Sequence, residues 1–220
     1  MASMSRHRID VRELMKTMRE GVSLEPRDWI LLILYAAPKH VLPSEVHLQK
    51  AVFIASQYFD ELRDVLEFKP YRMGAWSDEL KDSLEVLEAS EDVVKNDVGA
   101  LKLTEKAVLQ VKSLWESLPE EKRRILDNIA SFICALSVDE LLIYTYVVYG
   151  YEEKSDVFEK LLKKRFSLAI SMLEKGVISV ELAAKVAGLP LTAFVGELKR
   201  KGIKPYVAEV QDVECAGAMR

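Results

Sequence analysis

Three histidines, two cysteines and a handful of adjacent acids are the residues in this chain whose chemistry could support catalysis or metal binding. His40 and His47 are close in sequence, but no acid or cysteine stands at a ligand spacing from either, and His7 is far from both. Cys134 falls inside an apolar helical pattern and Cys215 in a polar stretch near the C-terminus, with no CxxC spacing between them. The pairs Asp78-Glu79 and Glu120-Glu121 open expected helices, where the helix dipole favours a carboxylate without any active site. Glycine-rich phosphate loops and a GxSxG elbow are absent from the sequence. The expectation is a protein that is not an enzyme, with no catalytic residue, no metal ligand and no cofactor. A deep pocket lined by converging acids or histidines would argue otherwise.

The second chemistry is cationic. Residues 160–205 carry ten bases and three acids, a net charge of +7, whereas the first 159 residues carry twenty bases and twenty-nine acids, a net charge of −9; residues 206–220 add −2. A basic block on an acidic body draws nucleic acid and acidic partners alike, although the same charges can also solvate a helix face.

Within that block, residues 177–203 have the pattern of a helix-turn-helix. Two short helices cross steeply only if a small residue lets their backbones approach and a residue free to take positive φ makes the turn; Ala184 and Gly188 meet both needs. Leu182, Val186, Leu189, Phe194 and Leu198 then face inward. The candidate contact residues for DNA or a protein partner are Lys163, Lys164, Arg165, Lys185, Leu191, Thr192, Val195, Lys199, Arg200 and Lys201. The outward positions Leu191, Thr192, Val195 and Gly196 offer one hydroxyl for base reading, whereas Lys199, Arg200 and Lys201 suit phosphates or the dipole at the end of their helix.

The elements that must position these residues follow from hydrophobic periodicity and punctuation. Trp29, Ile30, Ile33 and Leu34 repeat at helical spacing up to Pro38; Ser44 caps a helix carrying Val46, Leu48, Val52, Phe53 and Phe59; Ser77 caps a third with Leu80, Leu84 and Leu87. Two short runs around Asn96-Asp97-Val98-Gly99, between Val93 and Leu103, read as a β-hairpin. Three helices followed by a hairpin is the order of a winged helix, the hairpin being the wing. Thr104, Pro119 and a Ser137/Glu140 capping box start three more helices, the last ending at Gly150 with Tyr144, Tyr146, Tyr149 and Tyr151 clustered there, an aromatic group that could stack bases but on an acidic segment is expected to pack against neighbouring helices.

The expected fold class is mainly α: a winged-helix-like N-terminal domain with one β-hairpin, plus a C-terminal three-helix helix-turn-helix unit. The expected divisions are an N-terminal arm over 1–26, the winged-helix-like domain over 27–152, the helix-turn-helix domain over 153–206 and a tail over 207–220. Half of the residues are hydrophobic, enough for a core, yet the apolar runs are too short for a membrane-spanning helix and no secretory leader opens the sequence, so a cytoplasmic protein without a membrane partner is expected. The scarcity of Asn and Gln beside 30% charged residues matches proteins from hot environments.

Two resemblances rest on these residues. Leu48-Gln49-Lys50-Ala51-Val52-Phe53, the Phe68–Ser77 connection, the hairpin ending in Leu103-Thr104, and Leu141-Leu142-Ile143-Tyr144 through Tyr149-Gly150-Tyr151 resemble the archaeal relatives of the Panacea antitoxin domain over residues 27–155, departing from the family's usual aromatic, proline and tyrosine at Met73, Ala75 and Trp76. Residues 165–206, with the Lys201-Gly202-Ile203 exit, are similar to the small helix-turn-helix proteins of uncharacterised protein family 0175. Both resemblances imply an antitoxin-like or transcription-regulating binder whose partner is DNA, a toxin-like protein, or both, with a homodimer as an option. The alternative is a pure protein–protein interaction module.

Overall fold

The computed structural model describes residues 24–71, 73–150 and 156–203. Most of the expected N-terminal arm, with His7, and Tyr151, Lys204, Cys215 and the expected tail lie outside the described residues.

Helix α1 (Pro26–Ala36) starts with proline at its first turn, where a missing N–H costs nothing, and Asp28 returns a carboxylate oxygen to the Glu25 N–H at 2.9 Å. Trp29, Ile30, Leu32, Ile33 and Leu34 are all buried, so α1 is apolar nearly all round and must be a central helix. Around it pack α2 (Glu45–Ser56), α4 (Asp78–Ala89), α5 (Glu105–Ser117) and α6 (Glu120–Ala135). The short α3 (Asp60–Val65) follows α2, and α7 (Val138–Tyr149) leads out of the domain between its Ser137/Glu140 capping box and Gly150 at φ 71°.

The winged-helix order is completed by a three-stranded antiparallel sheet. Strand β1 (Val41–Leu42) pairs with β5 (Leu101–Leu103), which pairs with β4 (Val93–Lys95), giving the order β1-β5-β4. The wing turn is held by Asn96, whose Oδ1 accepts from the Val98 and Ala100 N–H groups at 3.1 and 2.8 Å. Leu42, Val93, Leu101 and Leu103 turn inward onto the core.

The expectation of a single hairpin needs correction. The Phe68–Ser77 connection is itself a second hairpin, with β2 (Lys69–Tyr71) antiparallel to β3 (Gly74–Trp76). Pro70 and the brevity of these three-residue strands conceal them from any periodicity argument. What holds them comes from α2. Gln49 clamps Ser77 twice, its Nε2 donating to the Ser77 carbonyl at 2.9 Å and its Oε1 accepting from the Ser77 N–H at 3.0 Å. Lys50 Nζ donates to the Ala75 carbonyl at 2.6 Å. Gly74, at φ 76°, packs with its Cα side 3.4 Å from both Lys50 Cε and the Tyr146 ring, measured from where a Cβ would stand. The Leu48-Gln49-Lys50 motif and the 68–77 connection are thus two halves of one tether. Gln49→Leu is expected to lower the unfolding free energy by about 2–4 kcal/mol, because it leaves the buried Ser77 N–H without a partner and takes from the Ser77 carbonyl one of its two hydrogen bonds, the other coming from the Lys81 N–H; chemical denaturation measures it, and a loss below about 1 kcal/mol would show that the clamp is dispensable.

The C-terminal unit consists of α8 (Asp156–Glu174), α9 (Val180–Ala187) and α10 (Leu191–Arg200), stacked on α7 through α8 and α9. The mainly helical class, with a small antiparallel sheet, agrees with the sequence expectation. Among the described residues, no helix is long and apolar enough to cross a membrane.

Candidate nucleic-acid interface

The helix-turn-helix unit is built from local rules. Gly176 at φ 69° ends α8, and the Ser179 hydroxyl caps α9 by accepting from the Leu182 N–H at 3.3 Å. Gly188, at φ 71°, ends α9, and Pro190 opens α10. Ala183, Ala184, Val186, Ala187, Phe194 and Leu198 are buried, with the Phe194 ring edge-on to Phe166 of α8 at 5.8 Å. Gly202 at φ 72° lets the Ile203 N–H reach the Leu198 carbonyl at 3.0 Å, which is the physical content of the Lys201-Gly202-Ile203 exit.

The structure sorts the ten candidate contact residues by what they already touch. Arg165 is engaged inside the unit: its Nε donates to the Val186 carbonyl, which the end of α9 leaves open, at 2.7 Å, and its Nη2 to the Lys185 carbonyl at 3.1 Å, which also accepts from the Gly188 N–H. Its guanidinium lies so close over Gly188 that an added Cβ there would stand 2.4 Å from Cζ. Lys164 pairs with Asp139 of α7 at 3.3 Å, Arg200 pairs with Glu197 one turn earlier, and Lys201 Nζ lies 5.8 Å from the Phe166 ring centroid. Lys163, Lys185 and Lys199 are exposed and have no acidic partner among the described residues. Leu191 and Thr192 are exposed and Val195 half-buried; with Lys199 they fall within about 100° of arc on α10.

The unit is held against the rest of the protein by a contact that composition does not reveal. Lys175 Nζ donates to the buried Glu140 carboxylate at 2.6 Å and to the Ala135 carbonyl at 3.1 Å, while Glu140 also accepts from the Ser137 N–H at 2.7 Å. Burial pushes the Glu140 carboxyl up, but the Lys175 ammonium and hydrogen bonds from Ser171 and Ser137 outweigh it and hold the group below its ordinary value. Lys164 and Lys175 therefore spend their charge on the joint with α7.

The winged helix presents the opposite charge. In that fold the helix before the wing faces the DNA groove. Here it is α4, and residues 78–92 carry seven acids and one lysine, Lys81, itself paired with Glu85 at 3.4 Å. Phosphates would be repelled from this face.

Two surface clefts and one buried polar cluster lie outside the helix-turn-helix unit. A cleft of about 480 Å³ between α2, α3 and the start of α4 is lined by Arg63, Asp64, Glu67 and Glu79; its one cation, Arg63, pairs with Asp60, while Glu67 pairs with Lys69 and Glu79 with the Ser77 hydroxyl, so no unpaired base stands there to work with an acid. A second, of about 360 Å³ beside Lys39, His40 and Leu109, is walled mainly by apolar atoms. His47 is buried, with Nε2 on the Leu136 carbonyl at 3.0 Å and Nδ1 on the Ser44 hydroxyl at 2.8 Å. A carbonyl only accepts, so Nε2 carries the proton and Nδ1 accepts from Ser44; burial keeps the ring's pKa below its ordinary value and the ring neutral. Among the described residues, no group of three His, Cys, Asp or Glu is placed to hold a metal ion.

Sequence reasoning missed the buried polar side chains of α2, with His47 bonded to Ser44 and Leu136 and with Gln49 and Lys50 bonded to the 68–77 connection, and the acidity of α4 as a face; the second was countable, the first was not. No protein-family model matches the chain, and no curated protein matches it.

Proposed function

We propose that the chain is a non-enzymatic regulatory binding protein of the antitoxin-like or transcription-regulating kind, whose helix-turn-helix unit holds duplex DNA mainly through its phosphates. The observation that supports this most is the distribution of unpaired positive charge. Lys163, Lys185 and Lys199, like Lys160, are exposed and have no acidic partner among the described residues, in a unit whose Lys164, Arg165, Lys175 and Arg200 are engaged in contacts within the protein. The acidic α4 face leaves DNA to this unit alone and suits a basic protein surface, which is where a toxin-like partner would fit.

Three neutralised phosphates per protomer predict a log–log salt slope of about −3, and Lys199→Gln is expected to reduce its magnitude by about one. A mobility-shift titration across salt concentrations measures both. Absence of any shift at low salt removes the DNA reading.

The protein-only alternative draws on Leu191, an apolar side chain 43% exposed on the same helix. On that reading Lys199→Glu with Arg200→Glu leaves partner capture intact while Leu191→Asp abolishes it, and the reverse pattern speaks for DNA.

A further inference from the structure

The outward face of α10 has a composition that phosphate binding does not explain. Leu191, Thr192, Ala193 and Val195 put methyl groups on the surface at the N-terminal half of the helix, the half that enters the major groove in helix-turn-helix proteins. Gly196 follows them. A glycine inside a helix lowers its stability relative to alanine, and a Cβ at Gly196 would meet nothing within 4 Å, so no packing inside the protein calls for its absence. Close approach of an outside surface does call for it. Lys199, one turn beyond Val195, and Lys185, in the last turn of α9, are exposed and carry charge complementary to a polyanion.

The major groove displays donors and acceptors from every base and one apolar group, the thymine C5-methyl. A face with methyl groups, one hydroxyl that donates or accepts and so separates bases poorly, and no amide or guanidinium among its central positions discriminates chiefly by that apolar feature. We infer that α10 reads thymine methyl groups, with Leu191 and Val195 as the contacting side chains and Gly196 as the clearance that lets the helix approach. This rests on the DNA reading above and assigns its specificity: the site prefers A·T-containing duplex by a methyl contact, and it accepts any base that presents a methyl group at the same place.

The test uses the full chain and duplexes of about two helical turns. One alternates dA and dT, a second replaces dT by deoxyuridine, and a third and fourth alternate dG with cytosine or with 5-methylcytosine. Loss of one buried methyl contact weakens binding about fourfold. The expected result is binding to the deoxyuridine duplex at least about fourfold weaker than to the dT duplex, and a gain of similar size when cytosine is methylated. Leu191→Ala is expected to abolish the difference while retaining binding. Gly196→Ala is expected to raise the thermal unfolding midpoint yet weaken binding to every duplex, a combination that no folding defect produces.

Equal affinity for dT and deoxyuridine duplexes overturns the methyl reading and leaves the phosphate-binding function standing. No binding to any duplex at low salt overturns both, and a discrimination that survives Leu191→Ala and Val195→Ala places the methyl contact elsewhere and overturns the assignment to α10.

Discussion

Lys50→Met is expected to make the protein more stable at neutral pH, by about 3–4 kcal/mol, and to remove a pH dependence that the unchanged protein shows. Lys50 is wholly buried on α2, and among the described residues its Nζ meets one carbonyl and no carboxylate. Burial pushes its pKa down from the ordinary 10.5 to about 7. The sign follows from proton counting. Between about pH 7 and 10.5 the unfolded chain keeps a proton on Lys50 and the folded chain does not, so unfolding takes up a proton and stability rises with pH. Each unit is worth about 1.4 kcal/mol, so the stability of the Lys50 protein relative to the Met variant should climb from pH 7 and level off above pH 10.5, where only the lost hydrogen bond separates them. The difference between the two proteins isolates Lys50 from every other titrating group. Urea unfolding at a series of pH values measures it, and a difference that stays flat from pH 7 to 10 would mean that Lys50 keeps its ordinary pKa.

The second large effect concerns the turn of the helix-turn-helix. Gly188→Ala forces a Cβ into the left-handed region, costing about 1 kcal/mol, and drives the Arg165 guanidinium off the end of α9, with the loss of two charge-assisted hydrogen bonds. The combined loss is about 3 kcal/mol of the unit's stability, and Arg165→Ala should cost about 2 kcal/mol alone. Both changes remove the same contact, so the double variant should be little worse than Gly188→Ala, a coupling of about 2 kcal/mol. Hydrogen exchange within α9 and α10 gives the local free energies. Strict additivity would show that the guanidinium is not seated over Gly188. The experiment also distinguishes a tether from a DNA contact, since a DNA contact at Arg165 would lower affinity while leaving exchange unchanged.

Arg165 shows where charge counting stops being informative. In the sequence it is one of three consecutive cations, indistinguishable from Lys163 and Lys164. Folded, Lys163 is exposed without an acidic partner among the described residues, Lys164 reaches an acid 25 residues earlier, and Arg165 reaches carbonyls 20 and 21 residues later. Neighbours on a helix point about 100° apart, so three adjacent identical charges necessarily face three environments. The second hairpin was hidden for a related reason. Its strands are too short to alternate, and its tether comes from Gln49 and Lys50, more than twenty residues away.

The sequence by itself determined most of the helices and the helix-turn-helix, but it ran Phe59 into α2 where the chain breaks before α3, and it read Ser44 as a cap where the hydroxyl goes to His47. Ser77, Thr104, Ser137 and Ser179 cap helices, and Gly150, Gly176 and Gly188 end them, through contacts spanning three or four residues, which local spelling can carry. Tertiary structure alone decided which cations remain free, that Lys50 is buried without a counter-ion, that β1 joins the wing into a sheet, and that Lys175 fastens the C-terminal unit to Glu140. Those outcomes depend on burial and on partners 20 to 60 residues apart, and the free energy of a charge is set by what surrounds it in space, whatever surrounds it in sequence.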